Sequence, residues 1–416
     1  MTADPKLLPE PEPELARRLG PGLLTLYGVG TTIGAGIYVL IGEVAARAGA
    51  WTPFTFLLAA LLAGATALSF TELSARMPKS AGEALYVREA FASEGLSLIV
   101  GLMVAAAGII SAASVVVGGV GYLRTLIAIP EALAIVVLCA TLGGLAIWGI
   151  TESTLAAGAL TLVEIGGLML VVGSGIATGG EGGLPVAEIL VPRTPFPVVG
   201  VFAGAVLAFY AFIGFEDIVN VAEEVKDPAR AMPIAIVATL VIAGSLYLAV
   251  SVTALAVLPL VELAGSPAPL ALVYAAAGGD ARLLGAIAVL ATVNGVLVQM
   301  VMASRVLFGL SRQGSLPEFL GRVHATTRTP AVATVLVVAA ILTLALLFPI
   351  ATLAGTTSLV TLAVFALCNL ALWRLKRRGS APAEAPNLPI WLPVIGALVS
   401  LAVLAVEIGR RLSGLF

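Results

Sequence analysis

Three acidic residues of this chain stand out by their place within apolar stretches. Glu164 lies in the middle of the run 154–178, and Glu216 and Asp217 lie toward the end of the run 198–223. A carboxylate within a bilayer is costly unless it is paired, protonated or facing water, and it marks a functional site by default. Glycine supplies a second signal. Gly28, Gly30, Gly34 and Gly36 crowd one apolar run, and each weakens a helix by about 1 kcal/mol relative to alanine. Two uses are open: close packing of helices through small residues, or a break in the helix. A break leaves N–H groups free at the start of one half-helix and C=O groups free at the end of the other. The first attract a carboxylate and the second an ammonium, so a zwitterionic amino acid matches both. Phe209–Asp217, with Gly214 among them, forms a second interruption five apolar segments later. That spacing is the pattern of two five-helix repeats of opposite orientation.

The elements that would position these groups are membrane helices. Of 416 residues, 60% are hydrophobic and 11% charged, whereas a soluble domain carries roughly 25% charged residues. About eleven segments reach the length of a span, at 22–46, 53–76, 85–124, 131–149, 154–178, 198–223, 233–259, 282–311, 331–349, 351–374 and 390–410. The third and eighth exceed a bilayer and are expected to tilt or to extend beyond it. With the N-terminus inside, fifteen lysines and arginines fall on the inner face and six on the outer, and Arg305 falls within a helix. This bias gives a cytoplasmic N-terminus and an outer C-terminus. The expected divisions are a cytoplasmic tail over 1–20, repeats over 21–180 and 181–376, and a linker with one added helix over 377–416. No basic-then-apolar signal opens the chain. His324 is the only histidine, and Cys139 and Cys368 sit in apolar runs as buried thiols. Histidine-based metal sites and nucleophilic triads therefore have no material. A net charge of −2 gives no nucleic-acid footprint, and no obligate protein partner is evident.

Several motifs resemble the amino acid–polyamine–organocation superfamily. They are Gly30–Tyr38, Glu72–Pro78, and Gly214–Glu216 continuing through Ala222–Pro233, which is the most specific. Ser304-Arg305, Leu310–Pro317, Val323-His324 and Thr329-Pro330 resemble its cationic amino-acid transporter branch. The resemblance covers about residues 20 to 375. It implies an all-α membrane fold of the leucine-transporter type, with five-plus-five inverted repeats and broken first and sixth helices. It also implies secondary active transport of amino acids across the cell membrane by alternating access, with proton-coupled symport as the leading expectation. Polyamine or organic-cation carriage, sodium coupling and exchange are the alternatives. No cofactor is implied beyond the coupling ion, H+ or Na+; the implied partners are a small amino acid and the lipid bilayer. The chain departs from the pattern in three ways: it has eleven spans where many relatives have twelve, Glu83 stands in place of a small residue, and Glu164 stands in place of a lysine.

By motif position, the backbone of Gly34, Ala35 and Gly36 is expected to bind the substrate carboxylate. The carbonyls around Thr32, Ile33, Phe212 and Ile213 are expected to take its ammonium. Tyr210 and Phe215 are candidates for an aromatic gate or wall, with packing as the alternative. Glu216 either carries a proton or caps the freed N–H groups of the lower half-helix. Glu164 can hold a proton or a sodium ion, pair with Arg305, or contact substrate; Asn294 is a candidate ligand or helix contact beside it. Glu223, Glu224, Lys226, Asp227 and Arg230 are expected to meet Arg76 and Arg312 and close an inner gate when the protein faces outward, with a plain solvated loop as the alternative. Ser111, Ser114 and Thr356 are further pocket candidates. A membrane enzyme lacks any nucleophile–base pair here, and a nutrient sensor would need a signalling tail.

Overall fold

The computed structural model describes residues 19–34, 36–79, 82–148, 154–179, 185–379, 382 and 385–413. Helices make up the framework, and the only strand-like feature among the described residues is a single backbone bridge between Leu19 and Val225. The first span is two half-helices, α1 (Pro21–Ile33) and α2 (Gly36–Ala48). Pro21 opens α1, where its missing N–H costs nothing. The second span is α3 (Thr52–Arg76). What reads as one long third run is in fact α4 (Gly82–Phe91) and α5 (Glu94–Leu126). The chain turns at Ala92, where φ is +51°, and the Ser93 side chain caps α5 by accepting from the Leu96 N–H. Sequence expectation placed one helix over 85–124; the capping serine inside that apolar run divides it.

The fourth and fifth spans are α6 (Glu131–Trp148) and α7 (Thr154–Thr178). After a short α8 (Val186–Leu190), α9 (Val198–Tyr210) and a 3-10 helix (Phe215–Glu224) form the second broken span. The remaining elements are α10 (Pro228–Val257), two short helices α11 (Leu260–Gly265) and α12 (Pro269–Ala276), α13 (Ala281–Arg312), α14 (Ala331–Leu347), α15 (Ile350–Arg378) and α16 (Trp391–Leu412). Nine helical stretches among the described residues are long and apolar enough to cross a membrane, one of them the run Gly36–Arg76 that holds both α2 and α3. Counted as broken or whole helices, with the shorter α14, the spans number eleven. The 33 residues of α5 and 32 of α13 correspond to nearly 50 Å of helix, longer than a bilayer is thick.

Packing is reciprocal between the halves. The first span packs on the seventh through α1 and α10, and the sixth packs on the second through α9 and α3. Likewise α1 meets α7, and α9 meets α15, its counterpart five spans later. The span pairs α3 with α10, α5 with α13 and α6 with α14 close the set. This is the contact pattern of two inverted five-span halves. Large apolar side chains such as Leu61, Trp148, Leu162, Val241 and Leu347 remain exposed on the outer surface of the bundle, as a lipid-facing surface requires. Cys139 and Cys368 are free and buried.

Candidate substrate site at the two helix breaks

The two breaks lie back to back. Gly34 takes φ +26° at the end of α1, and Gly214 takes φ +124° before the 3-10 helix. Only glycine adopts the second conformation readily. The Thr31 hydroxyl donates to the Gly214 carbonyl at 2.9 Å, joining one break to the other. From α10, the Tyr247 hydroxyl lies 2.9 Å from the Thr32 carbonyl and 2.8 Å from the Ala211 carbonyl. One hydroxyl thus bridges carbonyls freed at both interruptions. A side chain on Gly36 would press on the backbone of Ala211 at 3.2 Å, so this glycine permits the close approach.

The expected carboxylate cradle is only partly free. The Gly34 N–H donates to the Gly30 carbonyl, so the amides without a helical partner are those that open α2 at Gly36. Ala35 lies outside the described residues. Thr32, Ile33 and Phe212 are buried, and the Thr32 carbonyl is already occupied by Tyr247. Phe212 packs edge-on against Tyr247. Phe215 is fully buried and packs on Phe70 and Phe365, one layer behind the cavity wall that Phe365 itself forms.

Beside the second break lies a small cavity of about 40 Å³. Ser111, Ile213 and Glu83 are among the residues that line it. The Tyr210 hydroxyl pairs with the Ser111 hydroxyl at 2.9 Å and donates to the Ser111 carbonyl at 3.0 Å, joining α9 to α5 beside the cavity. Further out, the two short helices fold back over the bundle. The Leu270 N–H donates to the Tyr122 hydroxyl, and a side chain on Gly42 would strike the Leu263 carbonyl. The structure is therefore sealed on that side of the breaks.

Glu216 lies in this cavity and is 7% exposed. Its Oε2 accepts from the Gly214 N–H at 2.9 Å, so the carboxylate caps the lower half-helix. Asp217 and Glu83 share the lining. Glu83 opens α4, outside the spans, and burial pushes its carboxyl up to about 7, with Asp217 adding to the rise. Sequence reasoning noted Glu83 as a departure without placing it, and it missed Asn220, Gln299, Thr357 and Thr361, which also line the cavity. The signal was there: Thr357, Thr361 and Phe365 recur at four-residue spacing, as do Val104, Gly108 and Ser111 at four and three. Ser114 is buried one turn from Ser111.

Glu164, 1% exposed on α7, belongs to a separate polar site. Asn294 of α13 donates from Nδ2 to Glu164 Oε1 at 3.2 Å, so these two are brought together. The Tyr38 hydroxyl donates to the Glu164 backbone carbonyl, and the Tyr122 hydroxyl to the Tyr38 carbonyl, tying α7 to α2 and α5. Arg305 is exposed, eleven residues beyond Asn294 on the same helix, or about 16 Å along its axis; it is not a partner for Glu164.

In this structure the residues expected to form an inner gate do not meet. Arg76 donates to Glu72 on its own helix at 2.5 and 2.9 Å, so it does not meet the acids after the second break. Lys376 also reaches Glu72, at 2.6 Å, and the Leu388 N–H donates to Glu72 Oε2 at 3.0 Å. Arg312 is exposed and forms no ion pair among the described residues. Backbone hydrogen bonds help fasten the segment Glu223–Lys226: Leu19 donates to the Glu224 carbonyl, and the Lys226 N–H donates back to Leu19. Asp227 accepts through its carbonyl from Arg230 and Ala231 at the start of α10.

A profile described as amino acid permease matches residues 22–410. The chain is 33% identical over 394 residues to the vacuolar cationic amino acid transporter 2 of Arabidopsis thaliana, covering 90% of this chain and 61% of that protein, so it spans less than two thirds of the plant relative. It is 31% identical over 421 residues to the branched-chain amino acid permease BcaP of Bacillus subtilis, covering 94% and 87%. A methylthioribose transporter of Bacillus subtilis is 29% identical over 413 residues, covering 93% and 87%. Together with a helical membrane bundle broken at two facing points, these matches establish that the chain belongs to the amino acid permease family.

Proposed function

We propose that this protein is a secondary active transporter that carries amino acids across the cell membrane by alternating access, in symport with protons. The observation that carries the reading is the facing pair of breaks, held by Tyr247 and Thr31 and opening on one side into a cavity. Free helix ends at such a point supply the dipoles that a zwitterion needs. The two repeats span 21–180 and 181–376, and the Lys/Arg-rich face is cytoplasmic. The cavity then opens toward the cytoplasm, and the Tyr210–Ser111 contact belongs to an inward-facing state. Substrate carboxylate binds at the amides that open α2, and the ammonium at carbonyls near Ile213.

Glu164 is the coupling residue in this reading. It sits between α7 and α13, away from the cavity, where Asn294 orients its carboxyl. Uptake in proteoliposomes tests both parts. An inward proton gradient stimulates amino acid uptake, and an imposed sodium gradient does not. Glu164→Gln folds but loses the dependence of uptake on pH; full retention of that dependence would overturn the assignment.

A further inference from the structure

The ends of α3 and α15 hold more positive charge than negative. Glu72 is fully buried and pairs with two cations, Arg76 of its own helix and Lys376 of α15, whose side chains are 9% and 6% exposed. One carboxylate thus answers two nearly buried cations. The other groups in contact are neutral: the Leu388 N–H on Glu72 and Asn387 on Lys376. Arg76 spends Nε and Nη2 on Glu72, and its Nη1 has no hydrogen-bond partner among the described residues. It also lines a cavity of about 290 Å³ shared with Met77, Leu375 and Arg378, and no acid among the described residues lines it. Arg378 is exposed and reaches only the Glu89 carbonyl, at 3.4 Å, among the described residues. Two neighbouring cations lie over rings, Arg374 at 5.1 Å from the Phe91 centroid and Arg377 at 5.1 Å from that of Trp373. A bias of lysine and arginine to one face is general in membrane proteins, but it requires neither a cavity nor a buried excess of charge. Depth is set by length. The 29 residues of α15 make about 44 Å of helix against a hydrocarbon core of about 30 Å, so its last turns stand among lipid headgroups. Trp373, and the exposed Trp391 that opens α16, are residues that favour that layer.

We propose that this cavity binds the phosphate of an anionic phospholipid between Arg76 and Arg378, and that the lipid balances the charge of the cluster holding α3, α15 and the approach to α16 together. Guanidinium forks match phosphate oxygens in geometry, and a basic pocket between spans is the form that headgroup sites take. Met77 and Leu375 give the cavity an apolar side for the lipid's glycerol and first methylenes. A phosphatidylcholine headgroup brings its own cation into a place that already has one too many, so the site favours lipids with net negative charge. The site lies apart from the helix breaks, and the inference does not depend on which substrate or coupling ion the protein uses.

The test titrates the purified full-length protein, in detergent, with dioleoyl phosphatidylglycerol or dioleoyl phosphatidylcholine. Thermal unfolding and native mass spectrometry are read together. Phosphatidylglycerol raises the melting temperature saturably and is retained as one bound lipid, and phosphatidylcholine does neither. Arg378→Gln weakens phosphatidylglycerol binding about fivefold or more. Arg378→Lys restores part of it, because it keeps the charge without the fork. Arg322→Gln removes an exposed cation that does not line the cavity and leaves binding unchanged. Should Arg378→Gln fail to fold, Arg378→Lys carries the test, with a smaller loss of the same sign. Equal shifts with the two lipids, or an equal loss in Arg322→Gln, would mean diffuse attraction to the surface and overturn the proposal. A matching shift with inorganic phosphate alone would make this a site for a soluble anion and overturn it as well.

Discussion

Glu83 is a buried carboxyl whose ionisation falls near neutral pH. Its carboxyl, pushed up to about 7 by burial, faces Asp217 and Glu216 across the cavity, with Tyr86 on its own helix and Cys368 on α15 nearby. A raised carboxyl pKa means that the folded protein holds this proton more tightly than the unfolded chain does. The sign follows: the contribution of Glu83 to stability is greatest when it is neutral and falls as pH rises from about 5 to 7, and Glu83→Gln flattens that part of the profile. Thermal unfolding of the two proteins across this pH range checks it. Residues of this kind are half legible in the sequence. Glu164 and Glu216 stood out because a carboxylate inside an apolar run is rare on energetic grounds. The destination of Glu83 was hidden, since its role depends on α4 turning away from α5 at Ala92 and meeting the 3-10 helix. Asn294 was recognisable as polar within a span, but its pairing with Glu164 joins residues 130 positions apart.

At the scale of elements, the breaks are built from backbone, and the most exacting position is Gly214. Its φ of +124° is closed to other residues, and a side chain there would collide with the Thr31 carbonyl. Gly214→Ala is expected to cost about 2 kcal/mol or more and to abolish uptake, because it pushes the two interruptions apart. Thermal unfolding and proteoliposome uptake measure the two effects, and a variant with normal transport would show that the contact between the breaks is dispensable. The interruptions themselves were readable from glycine density and from five-span spacing. The division of the third run into α4 and α5 was not read. Apolar content continues across Ala92 and Ser93, and the only local mark is a serine with an acid behind it, a helix start that composition overrides. Length and hydropathy find spans well but do not see where the backbone turns.

Across the whole molecule, one buried knot fastens the first half to the last span. Glu72 of α3 is fully buried and receives Arg76, Lys376 of α15 and the N–H of Leu388, which leads into α16. Removing one member of a buried charge cluster leaves the others uncompensated, at about 3–5 kcal/mol. Glu72→Gln is therefore expected to lower the melting temperature of the detergent-purified protein by several degrees or more. Glu43→Gln, which breaks a pair whose side chains are each 34% exposed, should leave it nearly unchanged. Span number followed from apolar length, and the five-plus-five fold from the spacing of the two breaks and from the motif resemblance. This knot did not, because its partners are more than 300 residues apart. The facing helix breaks have an electrical side as well. They suit a zwitterion, whose charges cancel, so under the proposed symport the coupling proton is the single positive charge moved per cycle. A membrane potential of 100 mV contributes about 2.3 kcal/mol per charge, so voltage alone would sustain a concentration ratio of about 50-fold. Such a carrier draws on the membrane potential as much as on the pH difference, and it would slow in depolarised cells even when the proton gradient is intact.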